Sequence, residues 1–368
     1  MHGTEESRVV LVLRDLGVGG AERVVVRLAN YLAGSGVDTH LVTLVGAGPL
    51  AAELNGDVRL HDLAAGKVRN AVVPLYRLLA RLRPVSLMST LPQVNAVAVC
   101  VARLLPERPK VVVREANDPR HEAPYSRRLG AAMRRLLAAA YRRADLVVAV
   151  SQGVKEGVEE AYGVDPAKVV ALPNASLDDG VLARAGAELR DDWYDRLAKR
   201  VVCVARLSAQ KDHATLLRAF GQLDAGPGTG LLLIGSGPLE TEVRALVDSL
   251  GLGGRVKIVT QETNPFRWLR TADLLVLSSR WEGSPNVLVE ALALGVPVVA
   301  TDCPSGPREI LADGEFGELV PVGDAAVLAA AMRLALSRPT DAERLVERGR
   351  DFHIESVGPR WLAALLPR

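Results

Sequence analysis

At 368 residues with 49% apolar composition, the chain is too long for one ordinary core, suits two domains of about 150 residues each, and is neither disordered nor fibrous. Its charges nearly cancel, at +2, which argues against a nucleic-acid binder and a strongly acidic surface, so any basic site has to be local. Cys100, Cys203 and Cys303 lack metal-ligand spacing and each sits in or beside an apolar segment, so buried reduced thiols are expected.

Met1 to Arg8 are polar and carry no apolar signal core, and the later apolar runs are short and broken by charges, so a cytoplasmic protein is expected. β-rich runs predict strands at Val9–Leu16, Thr39–Val45, Val58–Leu63, Val85–Thr90, Lys110–Glu115, Asp145–Ser151 and Lys168–Pro173. Helical apolar spacing lies between them, as at Ala21–Ala33, Pro74–Leu82 and Ser126–Arg143, giving repeated βα units and a parallel sheet. From Asn174 to Lys199 the pattern lapses into a polar stretch with Asp178, Asp179, Asp191 and Asp192, where a domain boundary belongs. The alternation restarts with strands at Val201–Leu207, Gly230–Ile234, Arg255–Val259, Asp273–Ser278 and Val296–Thr301. The reading is an N-terminal domain over 1–180, a C-terminal domain over 181–351, and a last helix within 352–368 returning to the first domain. The fold class is α/β, with two Rossmann-like doubly wound domains facing a cleft.

Ligands of such sheets bind beyond the carboxyl ends of the strands, where helix N-termini present unpaired N–H groups. The first strand runs into Leu16-Gly17-Val18-Gly19-Gly20-Ala21-Glu22, in which Gly19 and Gly20 would let a phosphate approach a helix start. A tight structural turn explains the same glycines, and the spacing departs from the dinucleotide fingerprint. Arg206 closes the strand Val201–Leu207 and Lys211 stands in the loop entering the next helix, so two cations could grip a diphosphate; a plain surface charge is the alternative for Arg206. Farther on, Ser278-Ser279-Arg280-Trp281-Glu282-Gly283-Ser284-Pro285-Asn286-Val287-Leu288-Val289-Glu290 places a strand end, a turn and a helix start around two glutamates. One carboxylate could take sugar hydroxyls and the other a ribose diol; charge complementation at a helix N-terminus is the alternative.

With these residues in this order, the chain resembles the retaining GT-B glycosyltransferases of family 4 (glycosyltransferase group 1 type) over essentially its whole length. The glutamates form the family's E-x7-E segment, preceded by the Arg and Lys pair and by the glycine-rich loop. The resemblance implies that Gly19 and Gly20 approach the donor phosphate, that Arg206 and Lys211 bind the diphosphate, that Glu282 orients the donor sugar and that Glu290 takes the ribose. It also implies that Gly283, Ser284, Pro285, Asn286 and Val287 meet the sugar or distal phosphate, and that Gly235 and Gly237 lie in a loop beside the nucleotide. Two departures stand out. Ser284 replaces an aromatic residue common in the family, and Arg114-Glu115-Ala116-Asn117-Asp118-Pro119 occupies the loop where many relatives place a histidine. Glu115 and Asn117 are the substitutes read here; His121 is close but off register. Asp302 to Ile310 resembles a variant in members that transfer N-acetylated hexosamines, although Ser305 and Gly306 also suit a plain helix cap.

No Asp-x-Asp triplet follows an apolar strand and no His and carboxylate cluster has metal spacing, so neither a metal nor another cofactor is expected. The implied reaction moves a hexose or N-acetylhexosamine with retention from a nucleotide diphosphate sugar, with UDP the commoner base in the family, to a hydroxyl of a saccharide, lipid-linked or small-molecule acceptor. Helix Ser126–Arg143, with Arg127, Arg128, Arg134, Arg135, Arg142 and Arg143, could dock on anionic lipid at the inner face of the membrane or simply present a solvated basic face. A nucleotide-sugar epimerase of the same fold and a non-catalytic nucleotide-sugar-binding subunit are the competing readings.

Overall fold

The computed structural model describes residues 7–121 and 127–366. The chain divides into two compact units, Met1–Ala175 with Ile354–Arg368, and Ser176–His353.

In the first unit β1 (Val9–Leu13), β2 (Thr39–Thr43), β3 (Arg59–Asp62), β4 (Ser86–Thr90), β5 (Lys110–Glu115), β6 (Leu146–Ala149) and β7 (Val169–Ala171) form one parallel sheet. Its order is β3-β2-β1-β4-β5-β6-β7. Strand β1 ends sooner than its apolar run suggests, because Arg14 and Asp15 already belong to the glycine-rich loop. Successive side chains of a strand point to opposite faces. Val10 and Val12 accordingly join one core, while Val9, Leu11 and Leu13 join the other. Both faces are covered, as a parallel sheet requires. The terminal helix Ile354–Leu365 buries Ile354, Val357, Trp361 and Leu365 in the second of these cores, and Trp361 Nε1 donates to the Pro173 carbonyl at 2.9 Å.

In the second unit β8 (Lys199–Val204), β9 (Thr229–Ile234), β10 (Val256–Val259), β11 (Leu274–Leu277), β12 (Val298–Thr301) and β13 (Glu318–Val320) form a parallel sheet in the order β10-β9-β8-β11-β12-β13. Strand β13 was not predicted: it has three residues, two of them only half-buried, too few for an apolar pattern. The acid-rich stretch is not featureless. Asp178 and Asp191 cap short helices, Asp179–Ala185 and Asp192–Asp195, by accepting from Val181 N and Tyr194 N. The second unit begins at Ser176 because Leu177 packs in its core with Val181 and Phe352, and Ser176 Oγ shares a 2.8 Å hydrogen bond with Asn286 Oδ1.

The expectation of three buried thiols needs a correction. Cys203 and Cys303 are buried, but Cys100 is exposed, on the outer side of the helix Pro92–Ala102 whose Val99 and Val101 face the core. The basic helix spans Arg127–Arg143, with Arg134, Arg135, Arg142 and Arg143 exposed. Ser126 and the side chains of Arg127 and Arg128 lie outside the described residues.

Candidate active site

A doubly wound sheet binds ligands where its strand order reverses, because helices on either side leave a crevice beyond the strand ends. In the second unit that point lies between β8 and β11. The loop after β8 carries Arg206 and Lys211, the loop after β11 carries Glu282, and the helix Asn286–Ala293 carries Glu290 one turn from its start. Residues distant in sequence therefore converge: Lys211 Nζ lies 2.5 Å from Glu282 Oε1, with side-chain exposures of 18% and 6%. Glu290 is buried, at 8% exposure. Arg206 differs from Lys211. It is exposed, and its guanidinium forms no hydrogen bond or ion pair among the described residues.

The two loops are tied together by backbone and side chain. Ser278 Oγ donates to the carbonyls of Lys211 and Asp212 at 2.9 and 3.1 Å, Arg280 N donates to Gln210 O at 2.8 Å, and Gln210 Nε2 donates to Trp281 O at 2.9 Å. Asp212 adopts left-handed geometry at φ 44°, which a short acidic side chain tolerates, caps the helix His213–Gln222 and also accepts from Arg280 Nε at 3.1 Å. Burial pushes the Cys203 and Cys303 thiols up to about 12, so neither supplies a thiolate nucleophile at neutral pH. Burial, reinforced by the neighbouring Lys211 cation, holds the His213 imidazole down to about 4 and therefore neutral.

Gly235 and Gly237 have a structural role of their own. A Cβ on Gly237 would lie 2.3 Å from the Leu207 carbonyl oxygen, and one on Gly235 would lie 2.2 Å from that of Ala205, so their lack of side chains lets the loop after β9 press against the loop bearing Arg206. Leu207 N to Ser236 O and Leu239 N to Leu207 O, each 3.0 Å, seal that contact. Pro285 is the N-cap of the helix Asn286–Ala293 and supplies no side-chain cap. Gly283, Ser284 and Pro285 thus lead into a helix start, followed by half-buried Asn286 and Val287. The segment from Asp302 to Ile310 stands directly behind them: Glu282 N donates to Pro304 O at 3.2 Å, and a Cβ on Gly306 would meet Pro285 Cδ at 2.7 Å.

In the first unit the order reverses between β1 and β4, beside the glycine-rich loop. Gly19 is the N-cap of the helix Gly20–Gly34 and offers no side chain for capping. Glu22 folds back over it, so that a Cβ on Gly19 would sit 2.1 Å from Glu22 Oε2. Burial raises the pKa of this carboxyl, against the lowering effect of its own backbone N–H. The Glu22 carboxyl group thus occupies the space beside Gly19, while Gly20 is exposed. Glu115, the last residue of β5, is 1% exposed and accepts from the Tyr141 hydroxyl, from Ala116 N at 3.0 Å and from Asn117 N at 3.3 Å. Its carboxylate faces the interior here, while Asn117 is half-buried. Burial and the Glu115 charge raise the Tyr141 pKa well above its ordinary value, so the phenol stays a donor. Asp118 is fully buried against Arg120, with an Nη2 to Oδ2 distance of 2.7 Å, and His121 stands 4.0 Å from the same oxygen.

Sequence reasoning missed Asp212, Ser279, Glu22 and Tyr141. Asp212 had a signal, an Asp three residues ahead of Thr215 at a helix start. Ser279 and Glu22 act on groups three residues away, Glu282 and Gly19, a local spacing with no motif attached, whereas Tyr141 reaches Glu115 across 26 residues and leaves no spacing signal. Among the described residues no three His, Cys, Asp or Glu side chains gather in a way that could hold a metal ion.

Two protein families match the chain, one per half: Glycosyltransferase Family 4 over residues 18–175 and Glycosyl transferases group 1 over residues 196–352. Over 85% of each chain, the sequence is 29% identical to the N-acetylgalactosamine-N,N'-diacetylbacillosaminyl-diphospho-undecaprenol 4-alpha-N-acetylgalactosaminyltransferase of Campylobacter jejuni. It is also 29% identical to a lipopolysaccharide core biosynthesis glycosyltransferase of Rhizobium meliloti, covering 94% of this chain and 96% of that one. Among solved structures, Anabaena HepE in complex with UDP superposes with a TM-score of 0.77 at 18% identity, covering 97% of this chain and 99% of that one. Sucrose-phosphate synthase from Thermosynechococcus elongatus does so at 0.79 and 20%, covering 97% and 98%. The chain belongs to the group 1, family 4 glycosyltransferases and has their GT-B fold of two Rossmann-like domains.

Proposed function

We propose that the protein transfers a hexose or N-acetylhexosamine, with retention, from a UDP-sugar to an acceptor hydroxyl in glycan or glycoconjugate synthesis. The observation that carries this reading is the meeting of Lys211 and Glu282 where the second sheet reverses its strand order, with Arg206 exposed in the same loop as Lys211. A diphosphate leaving group gains negative charge as the glycosidic bond breaks, and fixed cations lower the energy of that state more than that of the ground state. Arg206 and Lys211 take the diphosphate, Glu282 takes hydroxyls of the sugar, and Glu290 takes the ribose. The acceptor hydroxyl attacks from the face the diphosphate leaves, a donor phosphate oxygen receives its proton, and the products are the glycoside and the nucleoside diphosphate. Side-chain cations meet the developing charge, so the reading requires no divalent ion. The Campylobacter relative, named for N-acetylgalactosamine transfer to a lipid diphosphate-linked saccharide, supports an aminosugar donor and a lipid-linked acceptor.

A thermal-shift panel of nucleoside diphosphates and nucleotide sugars, with and without a chelator, tests the donor site. Mass spectrometry of products with and without acceptor then separates transfer from epimerisation. Stabilisation by a UDP-sugar regardless of chelator is the expected result, and silence across the panel would remove the donor reading. For a lipid-linked acceptor we extend the proposal to the basic helix, where exposed Arg134 and Arg135 precede Leu136, 48% exposed, as a site for anionic lipid at the inner membrane face. Among the described residues no helix is long and apolar enough to cross a membrane. Co-sedimentation with anionic vesicles at low salt, lost when Arg134 and Arg135 become Gln, is the expected behaviour; absence of sedimentation by the unaltered protein would refute it.

A further inference from the structure

The two oxygens of Glu282 are treated unequally. Oε1 accepts from Lys211 Nζ at 2.5 Å and from Ser279 Oγ at 2.6 Å, whereas Oε2 has no partner among the described residues. Ser279 is wholly buried, its side chain makes no other hydrogen bond among the described residues, and its carbonyl is held by Thr301 Oγ1 at 2.5 Å. A hydroxyl has one proton to donate, and here it goes to Glu282. Two donors on one oxygen fix the carboxylate plane and leave Oε2 as the oxygen with both lone pairs available to a ligand. Lys211 cannot do this alone, since an ammonium on a flexible stem follows the stronger charge when a diphosphate arrives. Ser279, anchored between β11 and β12, does not move with it.

We propose that Ser279 is a positioning residue: its hydroxyl holds Glu282 Oε1 so that Oε2 faces the hydroxyls of the donor sugar while Lys211 turns to the diphosphate. This rests on the donor-site reading above, and the test distinguishes the two. Binding of UDP, UDP-glucose and UDP-N-acetylgalactosamine is measured by calorimetry for the unaltered protein, Ser279→Ala and Ser279→Thr, with melting temperatures as a check on folding. In Ser279→Ala, affinity for UDP should stay within about twofold, while affinity for the bound UDP-sugar and its kcat/KM should fall roughly tenfold, the scale of one hydrogen bond to a charged group. Ser279→Thr, which keeps the hydroxyl, should recover most of the loss. Equal weakening of UDP and UDP-sugar, or no weakening of either, overturns the positioning role and leaves the donor site standing. Failure of the unaltered protein to bind any of the three overturns the donor reading and the role of Ser279 together.

Discussion

Replacing Lys211 by Ala removes both the partner of a nearly buried carboxylate and one of the two cations assigned to the diphosphate. Breaking a buried ion pair typically costs about 3–5 kcal/mol, because the remaining charge is left uncompensated. Here the pair is 18% and 6% exposed, and Glu282 Oε1 keeps its bond to Ser279, so a loss nearer about 1.5–3 kcal/mol of folding stability is expected. Glu282→Gln removes the buried charge, so the double variant Lys211→Ala with Glu282→Gln should be less destabilised than the two single losses add up to. The catalytic loss is separate: a lost charged hydrogen bond to the leaving group is also worth about 1.5–3 kcal/mol, or roughly ten- to a hundredfold in kcat/KM. Urea unfolding of the four proteins gives the coupling energy, and steady-state kinetics gives the rate effect. Strictly additive stabilities would show that the ion pair contributes nothing in solution, and turnover of Lys211→Ala near the unaltered level would refute its role at the diphosphate.

Arg206→Ala should behave differently, lowering kcat/KM by about ten- to a hundredfold while leaving the unfolding midpoint unchanged, since its guanidinium has no partner among the described residues; a drop in stability equal to that of Lys211→Ala would contradict this. Gly237→Ala places a carbon 2.3 Å from the Leu207 carbonyl oxygen, so a loss of about 2 kcal/mol or more is expected in urea unfolding, and a neutral effect would show that the loop can shift. Burial lowers the pKa of both His40 and His61, whose Nδ1 and Nε2 lie 2.8 Å apart, below the ordinary 6.5. The folded state therefore binds fewer protons than the unfolded one; the pair's contribution to stability is present above about pH 6.5 and is lost as pH falls below it. Unfolding measured from pH 7.5 to 5.5 should show that decline, and the slope should flatten in a His61→Gln variant.

How much could be read without coordinates depended on whether a feature is local. Apolar β-branched runs located twelve of the thirteen strands among the described residues, because strand formation and burial leave a mark in consecutive residues. The three-residue β13 left none. The spacing from Glu282 to Glu290 was equally plain, since both flank one helix start.

Strand order is another matter. Which strands pair, and hence where each sheet reverses, rests on contacts between segments far apart in sequence, and only the folded chain decided that β8 adjoins β11. The pairing of Lys211 with Glu282 and the enclosure of Glu115 by Tyr141 are contacts of that kind, whereas the hold of Ser279 on one carboxylate oxygen spans only three residues of a single loop. The exposure of Cys100 turns on which side of its helix meets the core. By itself the sequence determined the repeating units and the chemical groups available at their ends. The tertiary structure decided which of those groups touch, because hydrogen bonds and burial depend on distance in space rather than distance along the chain.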